Sequence, residues 1–140
     1  MATLNPYLNF RGNAKQAMEF YHSVFGGTLD SSTFADFGMP VEPDEAGLVM
    51  HSQLTTPSGF TLMGSDTPKH MAWSPGENAF SVSLSGSDAE NAELTGYFTA
   101  LAEGGEITEP LVLAPWGDSF GMVVDKFGIN WLVNIAGPAS

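Results

Sequence analysis

The stretch LVMHSQLT, residues 48–55, sets His51 and Gln53 two residues apart. On a β-strand that spacing turns both side chains to the same face. An imidazole so placed has three chemical uses: general base, hydrogen-bond donor, or single ligand to a metal ion. A histidine held by structural hydrogen bonds would leave the same signature, so its neighbours must decide. His22 lies within a helical periodicity and His70 in a stretch of turn residues, and both suit the surface. Asp66, closing LMGSD, could anchor a polar ligand or cap a turn. Trp116, in the loop sequence PWGDSFG, is placed to cover a cavity mouth, whereas Trp131 falls on an apolar alternation and belongs to the core.

Composition removes several classes of function. Lys and Arg number 4 against 16 Asp and Glu, a formal net charge of −12, so nucleic acid and anionic membrane would both be repelled. A cationic ligand is compatible with that balance. The absence of cysteine excludes a disulfide framework, a thiolate nucleophile and a thiolate metal site. No paired carboxylates for glycosidase chemistry fall on the face that carries His51, and no G-x-S-x-G elbow is present. Neither GSDTPK nor LAEGGEIT has the form of a phosphate loop. No apolar run approaches a membrane span, and MATLNPYLNF lacks the charged-then-apolar order of a signal peptide. A cytoplasmic protein is the expectation.

The elements that must position these residues come in two copies. Pro6, Leu8 and Phe10 alternate with Asn5, Tyr7 and Asn9, the period-2 signature of a strand with one apolar face. Asn13 can cap a following helix in which Ala14, Ala17, Met18, Tyr21, Val24 and Phe25 recur at helical spacing, and Gly26-Gly27 ends it. The order returns with Phe80, Val82 and Leu84 alternating with Ser81, Ser83 and Ser85. Asp88 can then cap a helix that closes at Gly104-Gly105. Strands follow each helix. Leu48, Met50 and Leu54 form one alternation, and Phe60 and Leu62 the next, with Thr55 expected opposite Gly59 across a three-residue loop. In the second half a strand through Val124 turns at DKFG into one whose Trp131, Val133 and Ile135 share a face. Each half therefore reads as βαβββ. The expected organisation is one domain, 1–140, with a first module at 1–67, a linker at 68–77 and a second module at 78–140.

If the apolar alternations face the helices, the opposite alternation faces something else. In the first half it collects Asn5, Tyr7, Asn9, His51, Gln53, Thr61 and Met63, and in the second Ser81, Ser83, Asn130, Leu132 and Asn134. The set is polar but almost uncharged, unlike a solvated strand face. Amides and hydroxyls of this kind line cavities that hold ligands by hydrogen bonds. Tyr7, Asn9, His51, Gln53, Met63, Trp116 and Asn134 are the expected ligand contacts, with His51 as the catalytic candidate. The acidic segment FADFGMPVEPDEAG, residues 34–47, carries two phenylalanines with no local partner and suits a lid or a dimer contact.

The segments PYLNFRGNAKQAMEFYHSVFGG, MHSQL, LMGSD, PWGDSFG and DKFGINWLVN occur in the order and approximate spacing of the PhnB-like branch of the vicinal oxygen chelate superfamily, which the chain resembles over nearly its whole length. The superfamily also contains glyoxalase I, bleomycin-resistance proteins and extradiol dioxygenases. The resemblance implies an α+β fold of paired βαβββ modules, a curved mixed sheet around a cavity with helices on the outer face, usually in a homodimer. Metal-using members place ligands at positions that fall here on Asn5, Met63, a residue near Ser81, and Leu132. None is His, Asp or Glu, so no metal and no other cofactor is expected. A metal-independent small-molecule binding protein is the leading expectation. The alternative is a lyase, isomerase or oxygenase that uses His51 as acid, base or single metal ligand. Some relatives carry a 3-demethylubiquinone methyltransferase label, but nothing here resembles a glycine-rich site for a methyl donor.

Overall fold

The computed structural model describes residues 2–76 and 79–138. The chain divides into two compact units, residues 1–75 and 76–140. Each runs β-α-β-β-β and forms its own open four-stranded mixed sheet, so the class is α+β. Residues 68–75 of the expected linker are part of the first unit. Glu77, its last residue, and Asn78, the expected start of the second module, lie outside the described residues.

In the first unit β1 (Tyr7–Phe10) pairs in parallel with β4 (Thr61–Asp66), then β3 (Val49–Thr55) and β2 (Thr28–Thr33) follow antiparallel, giving the order β1-β4-β3-β2. Helix α1 (Ala14–Phe25) packs on β2, β3 and β4 through the predicted stripe. Ala14, Ala17, Met18, Tyr21 and Phe25 are buried, as are Phe10, Leu54 and Leu62 of the sheet. Burying such side chains stabilises by roughly 1.5–3 kcal/mol each, which is why the apolar stripe and the period-2 strands find one another.

Three local expectations are corrected here. Asn13 makes no side-chain cap. The N–H groups of Gly12 and Ala14 instead donate to Asp66 Oδ1, at 2.7 and 3.0 Å. Thr55 pairs with Thr61 and not with Gly59, so a five-residue loop joins β3 to β4. That two-residue shift is even, and every side chain keeps its face. A bulge sets Ser32 opposite His51 but Thr33 opposite Val49, leaving Met50 as the extra residue. Val49, only 4% exposed, therefore takes the core position expected for Met50.

The second unit repeats the plan in the order β5-β8-β7-β6, with β5 (Val82–Gly86) parallel to β8 (Asn130–Ile135) and β7 (Ser119–Val124) and β6 (Glu106–Leu113) antiparallel. Helix α2 (Asn91–Leu101) buries Leu94, Phe98 and Leu101 against β5, β7 and β8. Trp131, Val133 and Ile135 are core, as their alternation predicts. Phe80 is not: it precedes β5 and is 88% exposed. Asp88 is not the cap either. Ser87 and Glu90 form a capping box around the single 3-10 turn that leads into α2.

The double glycines do the same work in both units. A Cβ on Gly27 would lie 2.2 Å from the Thr55 carbonyl oxygen, and one on Gly105 2.2 Å from that of Val124. Both positions need the bare backbone because the chain leaving the helix is laid directly against the third strand, where Thr28 pairs with Thr55 and Glu106 with Val124.

Candidate functional site

The face of the first sheet opposite α1 carries the predicted cluster. Met63 lies in register with Tyr7 on one side and Gln53 on the other, so these three side chains form a row across β1, β4 and β3. Across that row the Tyr7 hydroxyl lies 3.1 Å from His51 Nδ1. The two rings stack with centroids 5.7 Å apart and 27° between planes. Tyr7 is 42% exposed and His51 half-buried. Gln53 donates from Nε2 to Thr55 Oγ1 at 3.3 Å. Asn9, one pleat along from Tyr7, gives its carbonyl oxygen to Trp73 Nε1 at 3.0 Å. Asn5 lies outside β1, and its side-chain amide donates to Thr3 Oγ1 at 3.0 Å.

Two members of this face were not foreseen. Asp30 pairs with Gln53 and Ser32 with His51, so β2 contributes a carboxylate and a hydroxyl to a surface expected to be nearly uncharged. Their sequence, TLDSST, offers a weak signal because only Leu29 marks the apolar side.

In the second unit Asn134 pairs with Phe120, and Trp116 meets Phe120 edge-on with centroids 6.0 Å apart at 61°. Asn134 Nδ2 also donates to Asp118 Oδ2 at 3.1 Å. Trp116 is 64% exposed on the loop between β6 and β7. Phe120, Met122 and Val124 share the face of Asn134, Leu132 and Asn130, which makes it more apolar than the strand serines and asparagines imply. Ser81 precedes β5, while Ser83 pairs with Leu132.

The remaining candidates are structural or lie elsewhere. Asp66 is 4% exposed and accepts three backbone N–H groups, from Gly12, Ala14 and Val49, the work of a structural cap. His22 Nε2 sits 2.9 Å from the carbonyl oxygen of Gly27. His70 borders an open groove of about 650 Å3 with Pro40, Val41, Glu42, Glu45 and Lys69, none of them a residue of the His51 face. Of the two phenylalanines in the acidic segment, Phe34 is buried and only Phe37 is exposed. Its end is tied down through Glu45, which accepts the Lys69 N–H at 2.7 Å.

The family model described as 3-demethylubiquinone-9 3-methyltransferase matches residues 2–134. The chain belongs to this PhnB-like family. Among solved structures, protein PA1353 from Pseudomonas aeruginosa is 38% identical, with a TM-score of 0.80 over 99% of this chain and 100% of that one. A PhnB protein from Bacillus cereus is 28% identical, with a TM-score of 0.73 over 96% of this chain and 100% of its own. A glyoxylase/bleomycin resistance protein/dioxygenase domain from Frankia sp. EAN1pec shares the fold at 11% identity, with a TM-score of 0.64 over 100% of this chain and 95% of that one. The PhnB-like chain is thus a vicinal oxygen chelate fold.

The superfamily's metal positions do not fit a divalent ion in this PhnB-like chain. Asn5 is off the ladder, Met63 offers a thioether, Ser81 a hydroxyl ahead of its strand, and Leu132 an alkyl group. Hard divalent ions want carboxylate or imidazole donors. Among the described residues no three His, Asp or Glu side chains gather to supply them elsewhere. No described helix is long and apolar enough to cross a membrane.

Proposed function

We propose that the protein binds a small organic molecule on the hydrogen-bonding face of the first unit's sheet, with no metal ion in the contact. The Tyr7–His51 pair carries this reading: a phenol and an imidazole are stacked and bonded across β4, with both rings open to an incoming molecule. Gln53 adds an amide and Met63 a thioether beside them, a mixture that fixes a ligand by direction and contact. Trp116, held edge-on to Phe120 beside Asn134, gives the second unit an exposed aromatic surface of its own. The reading includes a homodimer in the cytoplasm. Its support is the exposed apolar surface of edge strand β6, where Ile107, Val112 and Leu113 are 48%, 60% and 71% exposed. Sedimentation giving only the 14.8 kDa monomer at working concentrations would remove the dimer.

A second reading, lyase, isomerase or oxygenase chemistry, rests on the same pair acting as acid or base. Methyl transfer, which the family description names, finds no donor site in the sequence.

A thermal-shift screen of small molecules, run with and without divalent ions, supplies the ligand. Gln53→Leu is then expected to keep its thermal stability and to weaken binding by about tenfold. Glu103→Gln, exposed at the end of the second module's helix, serves as control. Equal affinity in the two variants would take the first sheet's face out of the function.

A further inference from the structure

We infer that Tyr7 holds neutral His51 in the tautomer protonated at Nε2, so that the face offers a ring N–H and takes ligands through an acceptor oxygen. The tautomer stands on geometry alone, and the ligand class rests on the binding reading above. The Tyr7 oxygen and His51 Nδ1 are 3.1 Å apart. A phenol is a good donor and a poor acceptor, whereas an unprotonated imidazole nitrogen is a good acceptor. The bond is therefore O–H to Nδ1, and the ring proton goes to Nε2. The two rings also stack, with centroids 5.7 Å apart and 27° between planes, so the phenol lies beside the imidazole as well as bonded to it. Among the described residues Nε2 has no hydrogen-bond partner.

This decides what His51 does first. Its only lone pair in the ring plane is taken by Tyr7, so neutral His51 acts as a donor and not as a base. Tyr7 is the positioning residue and His51 the contact. Met63 supplies an apolar thioether in the row that joins Tyr7 to Gln53. The ligand that fits carries a carbonyl or similar oxygen on an apolar body, such as a ketone, an ester or a tertiary amide.

Nitrogen NMR of the full chain in mildly alkaline buffer tests the tautomer, with the His51 signals assigned by their loss in His51→Gln. The expected spectrum has Nδ1 at the unprotonated position and Nε2 protonated. In Tyr7→Phe both signals move toward the average. An Nδ1–H majority, an even mixture, or a spectrum that Tyr7→Phe leaves unchanged overturns the tautomer. For the ligand class the probes are N-methylpyrrolidinone, which only accepts, and N-methylpyrrolidinium, which has the same ring but only donates. The lactam is expected to shift the His51 signals, and Tyr7→Phe to weaken its binding by about fivefold. The protein's acidity favours the cation, so the comparison is weighted against the expected result. A preference for the cation overturns the ligand class. An Nε2–H spectrum that neither probe disturbs also overturns it, and places the failure in the binding reading and not in the tautomer.

Discussion

The Asp66 carboxylate accepts the backbone N–H of Ala14 at 3.0 Å, so the end of the last strand in the first unit caps the helix that follows its first. The same oxygen accepts Gly12, and the other accepts Val49 at the start of β3. A buried anion at a helix N-terminus is favoured by the helix dipole as well as by the three donors. Asp66→Ala is expected to cost about 3 kcal/mol, because three N–H groups lose a charged acceptor. Asp66→Asn, which keeps one acceptor oxygen, should fall between. Denaturant titration followed by circular dichroism measures both, and a wild-type midpoint for Asp66→Ala would contradict the role.

The paired glycines predict matching defects. Gly27→Ala meets the Thr55 carbonyl and must also hold a φ of +87°, whereas Gly105→Ala meets the Val124 carbonyl and the Asp125 backbone without a positive φ. Both should destabilise by about 2–4 kcal/mol, with Gly27→Ala the worse of the two. Thermal melts of the two variants check the order.

A pH dependence follows from the capping box. The Ser87 backbone N–H, and then its hydroxyl, hold the Glu90 carboxyl below the usual carboxylate range. A depressed folded value means the contribution is fully present above the ordinary glutamate range and is lost as pH falls through the folded value. Glu90→Gln should therefore be less stable than wild type at neutral pH, with the difference shrinking on acidification. Melting temperatures measured from neutral pH down to about 3 test this; a constant difference would dismiss the linkage.

The Asp44–Lys69 ion pair is a contrasting case. Each partner lowers or raises the other's pKa in the sense of a salt bridge, chiefly through the side-chain hydrogen bond. Both side chains are 63% exposed, so water and salt screen the pair. Asp44→Asn is expected to leave the unfolding midpoint unchanged within error.

What could be read from the sequence followed from burial. Met18, Tyr21 and Phe25 on α1, and Val133 and Ile135 on β8, sit against a core on one side, so their periodicity is visible. β2 and β6 carry no such imprint: no residue of β2 is fully buried, and of β6 every residue but Leu111 is exposed. That is why Asp30 and Ser32 were missing from the candidate face. Asp66 was ambiguous because its three partners lie 17 to 54 residues away, beyond any local motif. The bulge at Met50 was invisible for the same reason, being a property of pairing with β2. The Tyr7–His51 bond joins two strands that are not paired with each other, with β4 between them.

The parallel pairing of β1 with β4, and of β5 with β8, has a consequence for the order in which the chain assembles. In each half the strand made first is paired only with the strand made last, so neither sheet can be completed during synthesis until its whole half has left the ribosome. The closing contact is non-local in both halves, and non-local pairing slows folding. Until Asp66 has emerged, the helix N-terminus made 52 residues earlier waits for the carboxylate that caps it. The Tyr7–His51 pair inherits that timetable: Tyr7 is among the first of these side chains to be made, yet it is held in place only when Met63 arrives beside it.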